Sequence, residues 1–451
     1  MNRLEKNYGL PTAIAVVVGI VIGSGVFFKA ERVLVQTGGD LKLGILAWII
    51  GGIIMLICAY VFGVMTAKYN FVNGVIDSSE QTVGPKYGYL IGWFFATIYY
   101  PSLVAVLAWL CANYTCVILG FSPVGGEAFV IASVYLVGNF VLNTFSVKLA
   151  GKFQLSTTII KMIPLFSMGI LGLFVGLGNG QIVENFTVVE DVVSNPFSAI
   201  LSAVVATAFA YEGWIIATSI NSEIRDSKKN LPRALILGTL VIAITYIFYY
   251  IGLSGAVDNS ILMDSAEGGT LIAFENIFGL LGSRLLYVFV VISCLGTLNG
   301  IMMACSRGFY SLAIRDRGPF CELFKVVDPQ TKMANNSSIW GLFLATLWLA
   351  YFFGANLTDN SWFGVFSFDS SELPIVTVYA LYIPVFIMFI KKADDVSFFK
   401  RFVMPILALC CCAFMIFASF FAHGYTVFYY LIFFSVVMAI GYLFIDGRKS
   451  V

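Results

Sequence analysis

The sequence contains few charged residues and a single histidine. Asp, Glu, Lys and Arg account for 11% of its 451 residues, whereas about a quarter of a typical soluble domain is charged. The chain therefore has too few charges to cover a water-facing surface. His423 is the only histidine, which excludes a metal site built from several histidines, and the net charge of +1 gives no attraction to nucleic acid. We expect no metal, no cofactor and no nucleic acid partner.

Apolar residues make up 59% of the chain, and the mean hydropathy is +0.91. Apolar runs of about twenty residues, the length that crosses a bilayer, recur from end to end. The nine cysteines lie mostly in such runs and behave there as small hydrophobic residues, so no disulfide framework is expected. The first run has no cleavage site and is expected to be a retained span. The sequence predicts an all-α polytopic membrane protein.

Charged residues and clusters of Gly, Pro and Asn divide the chain into about twelve predicted spans. The predicted spans lie at 9–36, 41–66, 86–118, 125–146, 150–177, 195–221, 231–256, 283–313, 337–354, 371–391, 402–421 and 424–445.

Basic residues are distributed unevenly between the two sides of these spans. One side holds the N-terminal tail, the C-terminal tail and most of the 26 Lys and Arg residues. The other side holds only Lys29, Arg32, Lys42 and Arg284. Since cytoplasmic loops are rich in Lys and Arg, both chain ends are predicted to lie in the cytoplasm, with the protein in the inner or plasma membrane of the cell.

Two of the predicted spans carry signals that interrupt a helix. The first contains a dense group of small residues, Gly19, Gly23, Ser24 and Gly25. Glycines weaken a helix by roughly 1 kcal/mol each relative to alanine, although small residues also serve close helix packing. The sixth contains Glu212 and Gly213 in the middle of an apolar run, unless this carboxylate marks a helix end at the surface. Breaks in spans five apart indicate two halves of opposite topology, with a substrate site between them.

The two breaks would present backbone groups of opposite polarity. Free amides at Gly23, Ser24 and Gly25, at the start of a helix, suit a carboxylate. Free carbonyls near Phe209, Ala210 and Tyr211 suit an ammonium group. Together they describe the zwitterion of an α-amino acid.

Lys161 is a charged residue eleven positions into the fifth predicted span. A buried charge in a membrane indicates function by default, although the side chain could instead extend toward the interface or pack against carbonyls. Tyr246, in the middle of the seventh span, is either a hydrogen-bond partner in the same region or an ordinary packed tyrosine.

Several motifs resemble the amino acid–polyamine–organocation superfamily, and within it the L-type amino acid transporters, in particular bacterial alanine–serine–cysteine exchangers. The motifs are GSGVF at 23–27, FAYEGW at 209–214, NLPRA at 230–234, LNG at 298–300 and Ser306-Arg307.

The resemblance covers nearly the whole chain and implies a single transmembrane domain, 1–451, with the LeuT-type fold and broken helices 1 and 6. Its 5+5 inverted repeat would comprise one repeat at about 9–177 and a second at about 195–391. Two extra helices would follow at about 402–445. Transport would proceed by alternating access.

The resemblance also implies roles for the residues already singled out. The amides of Gly23, Ser24 and Gly25 would bind the substrate carboxylate, and carbonyls around Phe209 to Tyr211 would bind the amine. Phe209 would be an aromatic gate.

Two further roles concern coupling. Lys161 would replace a sodium ion and tie the first and eighth spans to the fifth, and Tyr246 would be linked to that lysine.

Two features depart from animal members of the family. Many of them have glycine where this chain has Glu212, which puts the amine site in doubt and allows proton coupling. Animal members also carry an outer-loop cysteine that bonds a heavy chain, but the loop at 119–126 has none, although Cys116 lies just before it. We therefore expect no covalent heavy-chain partner, and contacts only with membrane lipid and substrate.

The favoured function is a sodium-independent exchanger of small neutral L-amino acids such as alanine, serine and cysteine. The alternative is a proton-coupled amino acid symporter that uses Lys161 or Glu212. A channel would show a ring of like charges or a repeated filter motif, and the sequence has neither. An enzyme would need a nucleophile–base or carboxylate pair within a span, which is also missing.

Overall fold

The structure is a computed structural model that describes residues 6, 8–69, 72–188, 195–264, 268–358 and 361–446, without the side chains of Val147, Phe209 and Ala422. Apart from one isolated parallel bridge between Tyr8 and Ile224, the regular structure in these ranges is helical. The prediction of an all-α chain is confirmed.

The α-helices of the first half are α1 (Leu10–Val21), α2 (Gly25–Gln36), α3 (Leu41–Lys68), α4 (Gly74–Thr82), α5 (Pro85–Phe94), α6 (Tyr100–Leu119), α7 (Gly126–Phe145), α8 (Val147–Gly178) and α9 (Gln181–Thr187). Those of the second half are α10 (Pro196–Tyr211), α11 (Ser227–Ala256), α12 (Asn259–Asp264), α13 (Gly268–Ala313), α14 (Cys321–Phe324), α15 (Asn335–Asn356), α16 (Leu373–Lys392), α17 (Met404–His423) and α18 (Thr426–Leu443).

Within the described ranges, ten helices are long and apolar enough to cross a membrane, and the bent pair of α1 and α2 brings the number to eleven. The predicted sixth span consists of the short helix α10 and a 3₁₀ segment, Trp214–Glu223. Each predicted span therefore coincides with a helical segment, and the prediction of a polytopic membrane protein is confirmed. The division into two repeats, 9–177 and 195–391, stays a prediction.

Two spans differ in detail from the prediction. The third span joins α5 to α6 through a π-helical turn, Phe95–Tyr99. The eighth was predicted to begin at 283, but α13 already begins at Gly268 and changes direction at Gly279, which has a φ of 71°. Hydropathy places the apolar part of this helix correctly and misses the part before the kink, because that part is less apolar.

The first span is broken between α1 and α2, whose axes differ by 44°. Helix α1 ends at Val21, Ile22 is extended, and α2 begins at Gly25. The sixth span is broken after Tyr211, where Gly213 has a φ of 103°. This left-handed conformation is unfavourable for residues with a side chain. Both predicted breaks are therefore present in the backbone.

The described chain ends lie at one face of the helix bundle, which we call the terminal face. The Tyr8 amide donates to the Glu223 carbonyl at 3.0 Å, at the end of the sixth span. Arg307, near the end of α13, forms a buried ion pair with Glu223. A little further along, the amide of Gly318 donates to the carbonyl of Phe444 at 3.1 Å. We call the other side the opposite face.

Helices α8 and α11 pack so closely that glycines face each other. A Cβ atom added to Gly172 would lie 2.1 Å from the carbonyl oxygen of Gly252, and one added to Gly176 would lie 2.5 Å from the Cα of Gly255. Small residues permit this approach, which is a common means of association in membranes. This close contact holds α8, which carries Lys161, against α11, which carries Tyr246.

We predict that Gly172→Ala destabilises the protein by about 1–3 kcal/mol, because the new methyl group would meet backbone that cannot move away locally. The thermal unfolding midpoint of the purified protein in detergent measures this loss. Gly178→Ala is the matched control, since a Cβ there meets no atom within 4 Å. Equal midpoints for the two variants would contradict the close packing.

Candidate functional site

A small cavity lies between the two helix breaks. Its volume is about 40 Å³. Residues from the first break, the sixth break and three neighbouring helices line it: Ile20, Val21, Gly23, Ser24, Gly25, Leu103, Val106, Leu107, Ala210, Glu212, Gly213, Thr297, Ile301 and Ile375. The predicted residues Gly23, Ser24, Gly25, Ala210 and Glu212 are thus brought together around one space.

Lys161 binds the carbonyls that the first break leaves without helical partners. Its ammonium donates to the carbonyl of Gly19 at 2.9 Å, to that of Ile22, and to that of Ser293 in α13 at 2.9 Å. The side chain is fully buried. Three donors on one ammonium meet three carbonyls, so α8 is joined to the first and eighth spans.

Two hydroxyl groups of α13 bind the same break. The Thr297 hydroxyl lies 2.9 Å from the carbonyl of Ile22, and the Ser293 hydroxyl lies 3.0 Å from that of Gly23. The free carbonyls are therefore satisfied by donors from α8 and α13, and one of these donors, Thr297, also lines the cavity. The amides at the start of α2 have no carbonyl one turn earlier, as in any helix. Ser24 and Gly25 both line the cavity.

Glu212 places a carboxyl group at the sixth break. It is 7% exposed, lines the cavity and accepts a hydrogen bond from the hydroxyl of Tyr99 in the π-helical turn. It makes no ion pair with any residue in the described ranges. The interpretation of Glu212 as a surface residue at a helix end is wrong, because the side chain is buried.

Tyr246 and Tyr211 lie behind the sixth break. The hydroxyl of Tyr246 donates to the carbonyl of Ala210 at 2.9 Å, and that of Tyr211 donates to the carbonyl of Trp48 at 2.9 Å. The two rings pack together with centroids 5.0 Å apart. Tyr211 does not line the cavity. In the described contacts, the Tyr246 hydroxyl binds backbone carbonyls of the two broken spans, and it makes no hydrogen bond to Lys161.

The predicted gate residue Phe209 lies within α10, but its side chain lies outside the described part of the structure. Its role stays a prediction.

Sequence reasoning missed several residues of the site. Ser293, Thr297 and Tyr99 provide its polar contacts from helices that are distant in sequence. The aliphatic wall was also missed, since it comes from Leu103, Leu107, Ile301 and Ile375 in otherwise apolar runs. The only available signal was the spacing of Ser293 and Thr297, which puts both hydroxyls on one face of a helix.

A larger space, which we call the outer chamber, lies next to the cavity on the side of the opposite face. Its volume is about 620 Å³, and it shares Ser24, Gly25 and Val106 with the cavity. The other residues that line it are Phe28, Lys29, Glu31, Arg32, Val35, Leu110, Tyr114, Met263, Asp264, Phe352 and Ser371. At the terminal face, Tyr8 and the Glu223–Arg307 pair join the N-terminal segment, the end of the sixth span and α13.

One acidic residue beside the outer chamber joins three helices. Glu372, just before α16, binds Lys29 of α2 at 3.1 Å and His423 of α17 at 3.2 Å. Burial raises the pKa of the Glu372 carboxyl, but the hydrogen bond to His423 and the charge of Lys29 outweigh this effect and lower the pKa to about 2. Lys29 is therefore held by a carboxylate.

Known proteins resemble this chain over most of its length. The family model described as amino acid permease matches residues 8–444. The serine/threonine exchanger SteT of Bacillus subtilis is 30% identical over 435 residues, which cover 94% of this chain and 92% of SteT. The glutamate/serine transporter AimA of the same organism is 26% identical over 78% of this chain and 67% of its own length.

A mammalian relative matches a shorter region. The large neutral amino acids transporter small subunit 2 of Mus musculus is 27% identical over 68% of this chain and 58% of its own length. These relatives are membrane transporters and not enzymes, and they confirm the resemblance to L-type amino acid transporters. The chain therefore belongs to the amino acid permease family of the amino acid–polyamine–organocation superfamily.

Proposed function

We propose that the protein is a sodium-independent exchanger of small neutral L-amino acids such as alanine, serine and cysteine, working by alternating access. The observation that carries this proposal is the joining of both helix breaks around one small cavity. The amides of Ser24 and Gly25 suit a carboxylate, and the carboxyl of Glu212 with the carbonyl of Ala210 suits an ammonium group. A zwitterionic amino acid carries both groups.

The size of the cavity supports a small substrate. A volume of about 40 Å³ leaves room for a few water-sized groups, since one water needs at least about 10–15 Å³ by this measure. Leu103, Leu107 and Ile375 fill the space beyond the two polar ends. A methyl or hydroxymethyl side chain would require the least movement of these walls.

The position of Lys161 supports independence from sodium. Its ammonium already binds carbonyls of Gly19, Ile22 and Ser293, and these are the kind of oxygen ligands that a sodium ion would need. Exchange is supported by the name of the relative SteT, a serine/threonine exchanger. From the distribution of Lys and Arg, we place the terminal face in the cytoplasm. We also expect the protein to act without a covalent partner.

A proton-coupled symporter is the second candidate, and Glu212 favours it. A buried carboxyl group in the cavity, without an ion-pair partner in the described ranges, can bind a proton with the substrate and release it on the other side. In an exchanger, the same carboxyl group would bind only the ammonium of the substrate.

Labelled alanine uptake into sodium-free proteoliposomes without a pH gradient tests the proposal. We expect uptake only when unlabelled alanine is present inside, because an exchanger needs a substrate for its return step. Gly25→Val should abolish this uptake, since its side chain would occupy the end of the cavity that faces the amides. Equal uptake into empty vesicles would contradict exchange, and full activity of Gly25→Val would contradict the carboxylate site.

Lys161→Ala should reduce exchange at least tenfold, because three carbonyls at and beside the first break would each lose a charged donor. The exchange rate per inserted protein is the measurement, with insertion checked by extraction from the membrane. Lys152→Ala is the control, because Lys152 lies on the same helix with an exposed side chain. If Lys161→Ala exchanges alanine at the wild-type rate, the lysine has no part in transport.

Glu212→Gln separates the two candidate functions. The amide keeps an acceptor for the Tyr99 hydroxyl but cannot carry a proton. An exchanger should keep its dependence on internal alanine in this variant, whereas a symporter should lose its response to an inward proton gradient. Glu127→Gln, at an exposed position in α7, should change neither property. A proton-driven uptake that survives in Glu212→Gln would exclude this carboxyl group as the coupling site.

A further inference from the structure

The connection between α13 and α15, at the terminal face, exposes three large apolar side chains. Phe320 is 63% exposed, Leu323 is 50% exposed and Val326 is 53% exposed. They recur at every third residue around the short helix α14, and we call residues 320–326 the α14 segment. The proposed transport site does not use these side chains, and exposure to water is unfavourable for all three. Such a surface indicates contact with lipid or with another protein.

The residues between them give the α14 segment three different sides. Phe324 is buried against α13 and α15, with its ring centroid 5.1 Å from that of Phe309 and 6.3 Å from that of Trp340. The side chain of Glu322 is 88% exposed and forms an ion pair with Lys325. One side of the segment therefore contacts the protein, a second is apolar and exposed, and a third is charged. This combination is typical of a segment at the boundary of protein, lipid and water.

The backbone of Phe320 is in an unfavourable conformation. Its φ is 49° and its ψ is 43°, which is the left-handed region that bulky side chains rarely adopt. The residue therefore combines a backbone cost with the cost of an exposed ring. Contact of the ring with lipid removes the second cost.

The apolar side of the α14 segment lies next to the start of a membrane span. Helix α15, Asn335–Asn356, is one of the ten helices that are long and apolar enough to cross a membrane. Ile339 and Phe343 near its start are exposed, as is usual for side chains that face lipid. The side-chain amide of Asn336 donates to the carbonyl of Leu323 at 3.0 Å, which holds α14 beside the first turn of α15. The exposed apolar surface of the span thus continues onto the segment.

Charge does not explain an attraction of this region to a membrane. Residues 316–326 contain two acidic and two basic residues, which are Asp316, Glu322, Arg317 and Lys325, so their charges cancel. Binding to anionic lipid usually requires a cluster of basic residues. Any contact with the bilayer must therefore depend on burial of the apolar side chains.

We propose that the α14 segment is inserted into the membrane leaflet at the terminal face. Phe320, Leu323 and Val326 contact the acyl chains of the lipids, and Glu322 and Lys325 remain in water. The occupant of the exposed apolar surface is the bilayer, and not a second copy of the chain or a soluble protein.

The insertion has a consequence for α13, which directly precedes the segment. This helix carries Ser293 and Thr297, which bind the first break, and Arg307, which pairs with Glu223. Removal of three large apolar side chains from lipid is unfavourable. The segment therefore holds the end of α13 at a constant depth, and rearrangements at the terminal face proceed around this helix.

Photo-crosslinking from the α14 segment tests the insertion. Phe320→p-benzoylphenylalanine is reconstituted in phosphatidylcholine vesicles, irradiated and analysed by intact mass. We expect an adduct with the mass of one phospholipid. Phe343→p-benzoylphenylalanine is the reference for a side chain that faces lipid and should give the same adduct. Glu322→p-benzoylphenylalanine is the control on the charged side, and we expect no lipid adduct there. All three positions are exposed, so the substitutions should leave folding intact.

Three results would overturn the proposal. The first is the absence of a lipid adduct at Phe320 when Phe343 gives one. The second is a covalent dimer of the chain in place of the lipid adduct, which would assign the surface to a second copy. The third is equal lipid labelling at Phe320 and Glu322, since the segment would then have no side in water. None of these results depends on whether the protein exchanges alanine.

The lipid composition separates apolar insertion from recognition of a headgroup. The yield of the Phe320 adduct should be unchanged when phosphatidylglycerol replaces phosphatidylcholine, because the charges of the segment cancel. An adduct that forms only with phosphatidylglycerol would show that the negative headgroup directs the contact and would overturn apolar insertion.

Discussion

The broken first span exposes backbone carbonyls inside an apolar bundle, and the surrounding structure depends on satisfying them. A carbonyl without a partner at membrane depth costs several kcal/mol. Lys161, Ser293 and Thr297 supply donors from two other helices. Because these groups bind the carbonyls, the chain can leave the helix at Ile22 and start α2 beside the cavity. The cost of the break is therefore offset by side chains of α8 and α13.

The two faces of the bundle differ in this conformation. At the terminal face, Tyr8 and the ion pair of Glu223 and Arg307 join the N-terminal segment, the end of the sixth span and α13. At the opposite face, the outer chamber lies next to the cavity and shares Ser24, Gly25 and Val106 with it. The proposed alternating access would require a second state in which these contacts separate and the chamber closes. A fully buried ion pair is costly to break in a dry interior and much less costly once water enters, so opening at the terminal face would proceed together with its hydration.

The sequence permits prediction of those features whose signals are local. Dense glycines and a carboxylate in an apolar run indicate the breaks. Lys161 can be identified as a candidate because charged residues are rare in membrane spans. The contacts made by Ser293 and Tyr99 could not be predicted, since serine and tyrosine are common in spans and their partners are far away in the chain. The direction of the Tyr211 side chain depends on packing against Trp48 and Tyr246, which also has no local signal. The early start of α13 was missed because hydropathy registers apolar length and not helix length.

The ammonium group of Lys161 has a thermodynamic consequence. An ion that is carried with a substrate enters from one compartment and leaves into the other, and it thereby transfers the energy of its own gradient to the cycle. A cation that is covalently part of the chain performs the same binding of carbonyls but never leaves. In the proposed exchanger it would stabilise the first break in every state in which those contacts persist, and as long as it keeps its proton it would contribute no electrochemical work. The direction of net flow is then decided by the solutes that the protein does release.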